Sequence, residues 1–334
     1  MPRPCRTEPP PFCPNTSCEY HVDPTGWRFK KKGFFARQRG PRRVQRYQCQ
    51  HCGRSFSSQT FSTTYWLKRP DVLAALFMKT VGAMANRQIA RDLQVAPSTV
   101  DRQLSRLGRH CLLFHQKLCQ KSPVSGPLAI DGFETFEYSQ YHPFHFNVAV
   151  EAETGYFRYF TDSELRRKGR MRPDQKRRRS QLEADRGRAD PKAVEKGISA
   201  LLEESLKGLS SCTLRRDDHP AYARAIQKLE IPLRQEVTPS IQRRDADNPL
   251  FEVNLVDLLI RHSCANHRRE TIAWAKRRQR AAERLAIFLV WRNYVKRRWE
   301  KGPPETPGML KGLTERPLQI KTILSERQFP SHQV

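Results

Sequence analysis

Between Pro127 and Phe136 an apolar run, Pro-Leu-Ala-Ile, ends on Asp131 and is followed by Gly132. A second β-rich run from Phe144 to Phe160 is placed to pair with it, which puts the carboxylate on a strand in the middle of a sheet. Burying a lone carboxylate there is costly, so a central strand keeps an aspartate where a cation or a hydrogen-bond network compensates it. Asp131 is on that ground a candidate metal ligand. The same Asp-Gly pair also fits a turn at a strand end, and the choice depends on whether the rest of the chain supplies partners.

The chain has 334 residues, room for one large or two to three small domains, and its hydrophobic content of 37% is low for a single globule. Several modules with charged connectors are expected. Sixty-one Lys and Arg against 34 Asp and Glu give a formal charge of +27, a balance that a polyanion rewards through counterion release. Nucleic acid is the leading partner class. No apolar segment approaches the ~20 residues of a membrane span and no secretory leader is evident, so a cytoplasmic protein with no membrane partner is expected. Nine cysteines in such a chain are more often metal ligands or core thiols than disulfides.

Residues 1–12 are proline-rich and expected to be disordered. Cys13 and Cys18, then Cys49 and Cys52 on a short aromatic hairpin turning at Gly53, form two close pairs. Such pairs make the two knuckles of a tetrahedral Cys₄ zinc site, and a segment this short and polar has no core without a metal. A zinc ribbon is expected over 13–66, with Zn²⁺ on Cys13, Cys18, Cys49 and Cys52, and Cys5 and His51 as possible substitutes. Between the knuckles Arg42, Arg43 and Arg46 belong to a basic loop interleaved with Trp27, Phe29, Phe34 and Phe35. That composition suits phosphate contact, and it also suits a solvated loop.

Helical periodicity begins after Arg69. Val72, Leu73, Leu76, Phe77 and Val81 fall on one face of a first helix, Asn86 to Leu93 forms a second, and Gln94 to Pro97 makes a tight turn. Ser98 is expected to cap a third helix running from Thr99 to about His110. This is a helix-turn-helix layout, assigned to 67–120, whose third helix would turn Thr99, Asp101, Arg102, Gln103, Ser105 and Arg106 outward, toward a major groove. Ser98, Thr99, Arg102, Gln103 and Arg106 are the candidate DNA contacts.

A hairpin from Phe144 to Phe160 follows Asp131, and then a charged run over 164–190, read as a flexible arm or a disordered insertion. Pro191 to about Leu209 is a predicted helix, and a short strand from Ser211 ends on Asp217-Asp218-His-Pro-Ala-Tyr222. A helix from Tyr222 to Leu229 and a strand from Leu233 to Val237 come next. After the segment from Asn248 to Asp257, a long basic helical region is expected from about His262. On it Glu270 would share a face with His267 and Trp274, bordered by Arg268, Arg269, Lys276 and Arg277, which are further candidate DNA contacts. Taken alone, Glu270 is also an ordinary surface glutamate.

The order is strand with Asp131, hairpin, helix, strand with Asp217, helix, strand, and helix with Glu270, the element order of a ribonuclease-H-like domain. Three carboxylates gathered in that way repel one another and favour a hard divalent cation such as Mg²⁺. Two such ions, ~4 Å apart, activate an attacking oxygen and stabilise the leaving oxygen of a phosphodiester.

Five motifs in sequence then carry a resemblance: Tyr47-Gln-Cys-Gln-His-Cys-Gly-Arg-Ser-Phe-Ser, the Asn86 to Leu107 segment, Asp131-Gly-Phe-Glu-Thr-Phe-Glu, Asp217-Asp-His-Pro-Ala-Tyr and His267-Arg-Arg-Glu-Thr-Ile-Ala. Together with the ending Thr306-Pro-Gly-Met-Leu-Lys-Gly-Leu-Thr, the chain resembles bacterial insertion-sequence transposases of the DDE class that carry an N-terminal zinc ribbon and helix-turn-helix. The resemblance implies a mixed α/β protein whose ribonuclease-H-like catalytic domain spans 124–300, with a basic insertion at 164–190 and a C-terminal tail at 301–334. It implies Asp131, Asp217 and Glu270 as the catalytic triad, with Asp218 in reserve for the second acid and Glu283 a rival for the third. It also implies two Mg²⁺ or Mn²⁺ ions as cofactors. The implied partners are double-stranded DNA, as the terminal inverted repeats of a mobile element and its target, and a second copy of the chain in a homodimer on DNA.

Overall fold

A computed structural model describes residues 9–37, 43–60 and 62–327. The chain divides into two compact units, one made of the residues up to Leu76 with those from Ile320 on, the other of Phe77–Gln319. Cys5 and Arg42 lie outside the described residues, as do the first eight of the expected disordered segment.

In the first unit β1 (Phe29–Ala36), β2 (Arg43–Cys49) and β3 (Ser55–Ser57) form an antiparallel sheet with β2 in the middle. Tyr47 packs between Phe29 and Phe56, at ring separations of 5.4 Å to each, and Trp27 stacks on Phe56. This aromatic cluster is too small to hold the sheet unaided. Further along, α1 (Leu73–Val81) carries the chain into the second unit.

The second unit is a mixed α/β fold. After α2 (Asn86–Asp92), the chain turns through Leu93–Ala96 with Gln94 in the left-handed region at φ 51°, and enters α3 (Pro97–Cys119). Pro97 occupies the first turn, where its missing N–H costs nothing, so the helix starts two residues before Thr99. Ser98 lies inside it and makes no cap. The expected end at about His110 is also passed, because Cys111, Phe114 and His115 extend the buried stripe.

Five strands follow: β4 (Leu128–Phe136), β5 (Pro143–Glu151), β6 (Phe157–Glu164), β7 (Cys212–Asp217) and β8 (Leu233–Thr238). They are ordered β6-β5-β4-β7-β8, antiparallel within the β4-β5-β6 meander and parallel from β4 through β7 to β8. The crossover from β6 to β7 carries α4 (Pro173–Arg186) and α5 (Ala193–Ser205); α6 (Pro220–Ile226) joins β7 to β8. Leu128, Ile130 and Leu214 enter one core with Ile198, Leu202 and Ala225, so α5 and α6 cover that face. The other face is covered by α7 (Phe251–Ser263), which packs on β4 and β5. Finally α8 (Arg278–Tyr294), buried along most of its length, lies against α3, and α9 (Pro307–Leu310) packs on it.

Two expectations are corrected here. The charged run at 164–190 is not a disordered insertion: it holds α4, on which Arg166 clasps Glu183 through two hydrogen bonds of 2.8 and 2.9 Å and Arg179 donates to the Arg167 carbonyl. Beyond Asn248 a helix starts eleven residues earlier than the one expected from His262, since Val253, Val256 and Ile260 form an apolar stripe.

The tail is docked by charge. Lys311 reaches Glu151 at 2.9 Å with both side chains buried. Removing one partner of a buried pair strands the other charge, so Lys311→Met is expected to destabilise the fold by about 3 kcal/mol, seen as a lowered urea midpoint at unchanged slope.

Candidate active site and metal centre

Asp131 and Asp217 are brought together by register. Leu128 pairs with Leu214 and Ala129 with Arg215 on parallel neighbours. Each aspartate stands three residues beyond its leucine (131 − 128 and 217 − 214), so the two strands deliver carboxylates side by side. Side chains alternate along a strand, and an odd offset from Leu128 and Leu214 directs both acids away from the α5 and α6 core toward the α7 face. Phe133, two residues beyond Asp131, marks the same face, where Arg261 of α7 lies 5.3 Å from its ring. The turn reading of Asp131-Gly132 is excluded, because β4 runs straight through both residues with Asp131 opposite Val148 and Gly132 opposite Asn147. Glycine is required there: a Cβ would stand 2.0 Å from the Phe146 carbonyl oxygen.

The third carboxylate on this face is Asp257, which projects from α7 and is held by Arg261 one turn on, Nε to Oδ2 3.3 Å. Its Oδ1 is buried and has no hydrogen-bond partner among the described residues. Burial raises the Asp131 carboxyl to about 6; the Gly132 N–H opposes this, Asp217 adds repulsion, Arg244 opposes it and Asp257 adds more. Asp257 is likewise raised, by burial first, with Arg261, Arg244 and Arg269 opposing. Asp218 is exposed beyond the end of β7.

Glu270 does not occupy the place expected of it. It is exposed in irregular backbone between α7 and α8. The helix cannot pass through this stretch because Cys264 to His267 are drawn into the core, with the His267 ring 5.4 Å from Phe133 and 5.6 Å from Phe146. Burial pushes His267 down to about 3, so its imidazole is neutral. Thr271 Oγ1 then ties back to the Ala265 carbonyl at 2.8 Å. A helix resumes at Arg278, whose N–H donates to the Glu137 carboxylate at 2.6 Å. Glu283, the rival third acid, is buried and takes hydrogen bonds from Ser105 at 2.7 Å and Arg280 at 2.8 Å. It fastens α8 to α3.

The chemistry of this donor set suits a divalent cation. Asp217 and Asp257 both raise the cost of ionising Asp131, and Asp257 keeps a buried oxygen unpartnered among the described residues, which fits a hard, oxygen-liganded ion. They are not drawn within 4.8 Å of one another, a closeness that the cysteine cluster alone reaches among the described residues. The sign of the pH effect follows. A group whose folded value lies above its ordinary 3.8 favours the fold while protonated and loses that contribution as pH rises through about 6. In Mg²⁺-free buffer the wild type is therefore expected to lose about 2–3 kcal/mol relative to Asp131→Asn between pH 4 and 7, measured by urea unfolding of both proteins across that range.

In the first unit the sulfurs of Cys13, Cys18, Cys49 and Cys52 converge, with Cys13 and Cys52 3.6 Å apart. Trp27 Nε1 donates to the Cys49 sulfur at 3.2 Å, an outer hydrogen bond of the kind that orients a metal-bound thiolate. The set is compatible with zinc. His51 is exposed and faces Glu19 at 3.4 Å. Nearby on the same sheet, Lys30, Lys31 and Lys32 are exposed along β1, Arg46 is exposed on β2, and Arg43 lies 4.0 Å above the Phe34 ring.

Of the residues expected to face DNA from α3, Ser98 and Arg102 are exposed, while Thr99 and Arg106 are half-buried. Gln103 and Ser105 are buried, a correction. The cause is α8: a Cβ on Gly108 would stand 2.5 Å from Glu283, so the two helices touch backbone to backbone along that face. Arg268, Arg269, Lys276 and Arg277 are all exposed.

No family model matches the chain, and no curated protein matches it. Among solved structures it is similar to a chain of the simian T-cell lymphotropic virus intasome in complex with PP2A regulatory subunit B56 gamma, at 12% identity over 71% of each chain and a TM-score of 0.27. It is also similar to the catalytic domain of the Mos1 mariner transposase, at 10% identity over 57% of this chain and 88% of that one, with a TM-score of 0.22. Likeness at these scores carries no argument about this chain. Among the described residues no helix is long and apolar enough to cross a membrane.

Proposed function

We propose that the chain is a DNA transposase of the bacterial insertion-sequence DDE type, with a ribonuclease-H-like catalytic domain that cuts DNA at the terminal inverted repeats of a mobile element and joins the ends to target DNA. The observation that carries this reading is the pair Asp131 and Asp217 at matched register on adjacent parallel strands, faced by Asp257 from α7. The sheet order, with β5 alone reversed in direction, fits a ribonuclease-H-like domain. In this reading Asp131, Asp217 and Asp257 hold Mg²⁺ or Mn²⁺, which supplies activation of the attacking oxygen and charge neutralisation at the phosphate.

The chain's own residues do the rest. Arg244, Arg261 and Arg269 line a cavity beside Asp257 and place positive charge where a phosphodiester has to settle. The cysteine cluster with its lysine-rich strand acts as a zinc ribbon, and α2 and α3 as a helix-turn-helix whose usable face is Ser98, Arg102 and their neighbours. The net charge of +27 supports DNA as the partner, and we assign the protein to the cytoplasm, as a homodimer on DNA.

The test is strand transfer. The full chain is incubated with Mg²⁺, a fragment bearing its element's end and a target plasmid. Joined products support the proposal. Tight binding with no cleavage or joining under Mg²⁺ and Mn²⁺ would leave a DNA-binding regulator.

A further inference from the structure

Cys119 ends α3 one turn beyond His115, so the two side chains share a face of the helix. The Cys119 Sγ lies 3.1 Å from His115 Nε2 and 3.5 Å from the Tyr156 hydroxyl. Tyr156 in turn lies 2.6 Å from the Tyr294 hydroxyl, and Tyr294 3.1 Å from His115 Nδ1. These four groups close a ring of hydrogen bonds. His115 Nε2 also stands 2.7 Å from the Arg158 carbonyl, which only accepts, so that nitrogen carries a hydrogen. A proton can pass around the ring from the thiol through Tyr156 and Tyr294 to His115 Nδ1 with every partner still satisfied, leaving a thiolate against an imidazolium. Burial works against the thiolate, but His115, Arg158 and Tyr156 outweigh it and hold the thiol below its ordinary value.

The sulfur is not sealed in. A cavity of about 450 Å³ between the end of α3, β6 and the end of α5 is lined by His115, Cys119, Arg158 and Ser205. Gln120 and Lys207 also line it and are exposed, so it opens to solvent. Ser205 is 1% exposed, and its Oγ has no hydrogen-bond partner among the described residues. A buried hydroxyl in that state is costly and calls for a polar guest. Hydrogen peroxide is neutral, polar and little larger than water, which takes roughly 30 Å³, so it enters without displacing packed side chains. It is also the partner that a stabilised, accessible thiolate attacks.

We propose that this cavity is a peroxide site at which Cys119 is oxidised to a sulfenic acid. The sulfur attacks one oxygen of hydrogen peroxide, so that an S–O bond forms and the O–O bond breaks. The leaving hydroxide takes the proton held by the imidazolium and departs as water. One thiol and one peroxide thus give one sulfenic acid and one water, with two electrons passing from sulfur to peroxide. Ser205 donates its hydroxyl hydrogen to the peroxide, and the Arg158 guanidinium offsets the charge that develops on the leaving oxygen. The site stands apart from the carboxylates and does not depend on the DNA reading.

The full chain is treated with hydrogen peroxide in the presence of dimedone, which traps sulfenic acids, and the adduct at each cysteine is followed in time by peptide mass spectrometry. The internal reference is Cys212, a half-buried thiol at the start of β7 that burial pushes up. Cys119 is expected to be labelled about tenfold faster than Cys212, the gain from a larger thiolate fraction. Tyr156→Phe, which keeps the ring and removes one hydroxyl of the network, and His115→Asn are each expected to slow labelling at Cys119 by at least about threefold. Ser205→Ala is expected to slow the peroxide reaction by about threefold and to leave alkylation of Cys119 by iodoacetamide unchanged, a split that a merely structural role would not produce. Labelling at Cys119 no faster than at Cys212, or unchanged in both network variants, would overturn the proposal. Equal effects of Ser205→Ala on the two reagents would overturn the assignment of the cavity as the peroxide site.

Discussion

Asp257→Asn is expected to lower Mg²⁺-dependent DNA cleavage by about 10³-fold, the scale of losing one strong electrostatic contact to a transition state, while Glu270→Gln changes it by less than about threefold. The two acids differ in everything that bears on holding a cation. Asp257 is half-buried on the α7 face, with its Oδ1 buried, close enough to raise the Asp131 carboxyl and braced by Arg261. Glu270 is exposed in irregular backbone. The measurement is single-turnover cleavage of element-end DNA at saturating protein, with binding followed separately so that lost affinity is not taken for lost chemistry. Equal losses in both variants, or a loss confined to Glu270→Gln, would return the third ligand to the glutamate.

Cys49→Ser is expected to take zinc content from one ion per chain to nearly none and to unfold the β1-β2-β3 sheet. Cys49 combines a ligand sulfur with the acceptor for Trp27. Structural zinc contributes about 10–16 kcal/mol in comparable small modules, more than the aromatic cluster around Tyr47 can replace. Elemental analysis and limited proteolysis read the two effects. Tight zinc retention, or protease resistance at Arg43 to Ser57 without metal, would show a sheet that stands alone.

The sequence made the strands legible because their alternation and flanking turns were strong; β4 through β8 lie where the apolar runs and the Asp131 and Asp217 tips place them. The cysteine cluster was legible because spacing fixes ligand geometry directly. What escaped was Asp257. Val253, Val256 and Ile260 carried a helical period that would have placed Asp257 beside the apolar stripe with Arg261 one turn on. The dense charge from His267 to Arg280 instead pointed to a helix that the burial of Cys264 to His267 prevents. On α3 the polar residues Gln103 and Ser105 read as solvent-facing, and only tertiary packing against Glu283 of α8 reveals them as interior. Local pattern sets which segments are helical, and long-range contact decides which face is free.

The most direct test of the carboxylate site replaces Mg²⁺ by Fe²⁺ and adds ascorbate and peroxide, so that radicals formed at the bound ion cut the backbone beside its ligands. Cuts next to Asp131, Asp217 and Asp257, abolished in Asp131→Asn and by excess Mg²⁺, are the predicted result. Cuts beside Glu270 with none beside Asp257, or no localised cleavage at all, would contradict it.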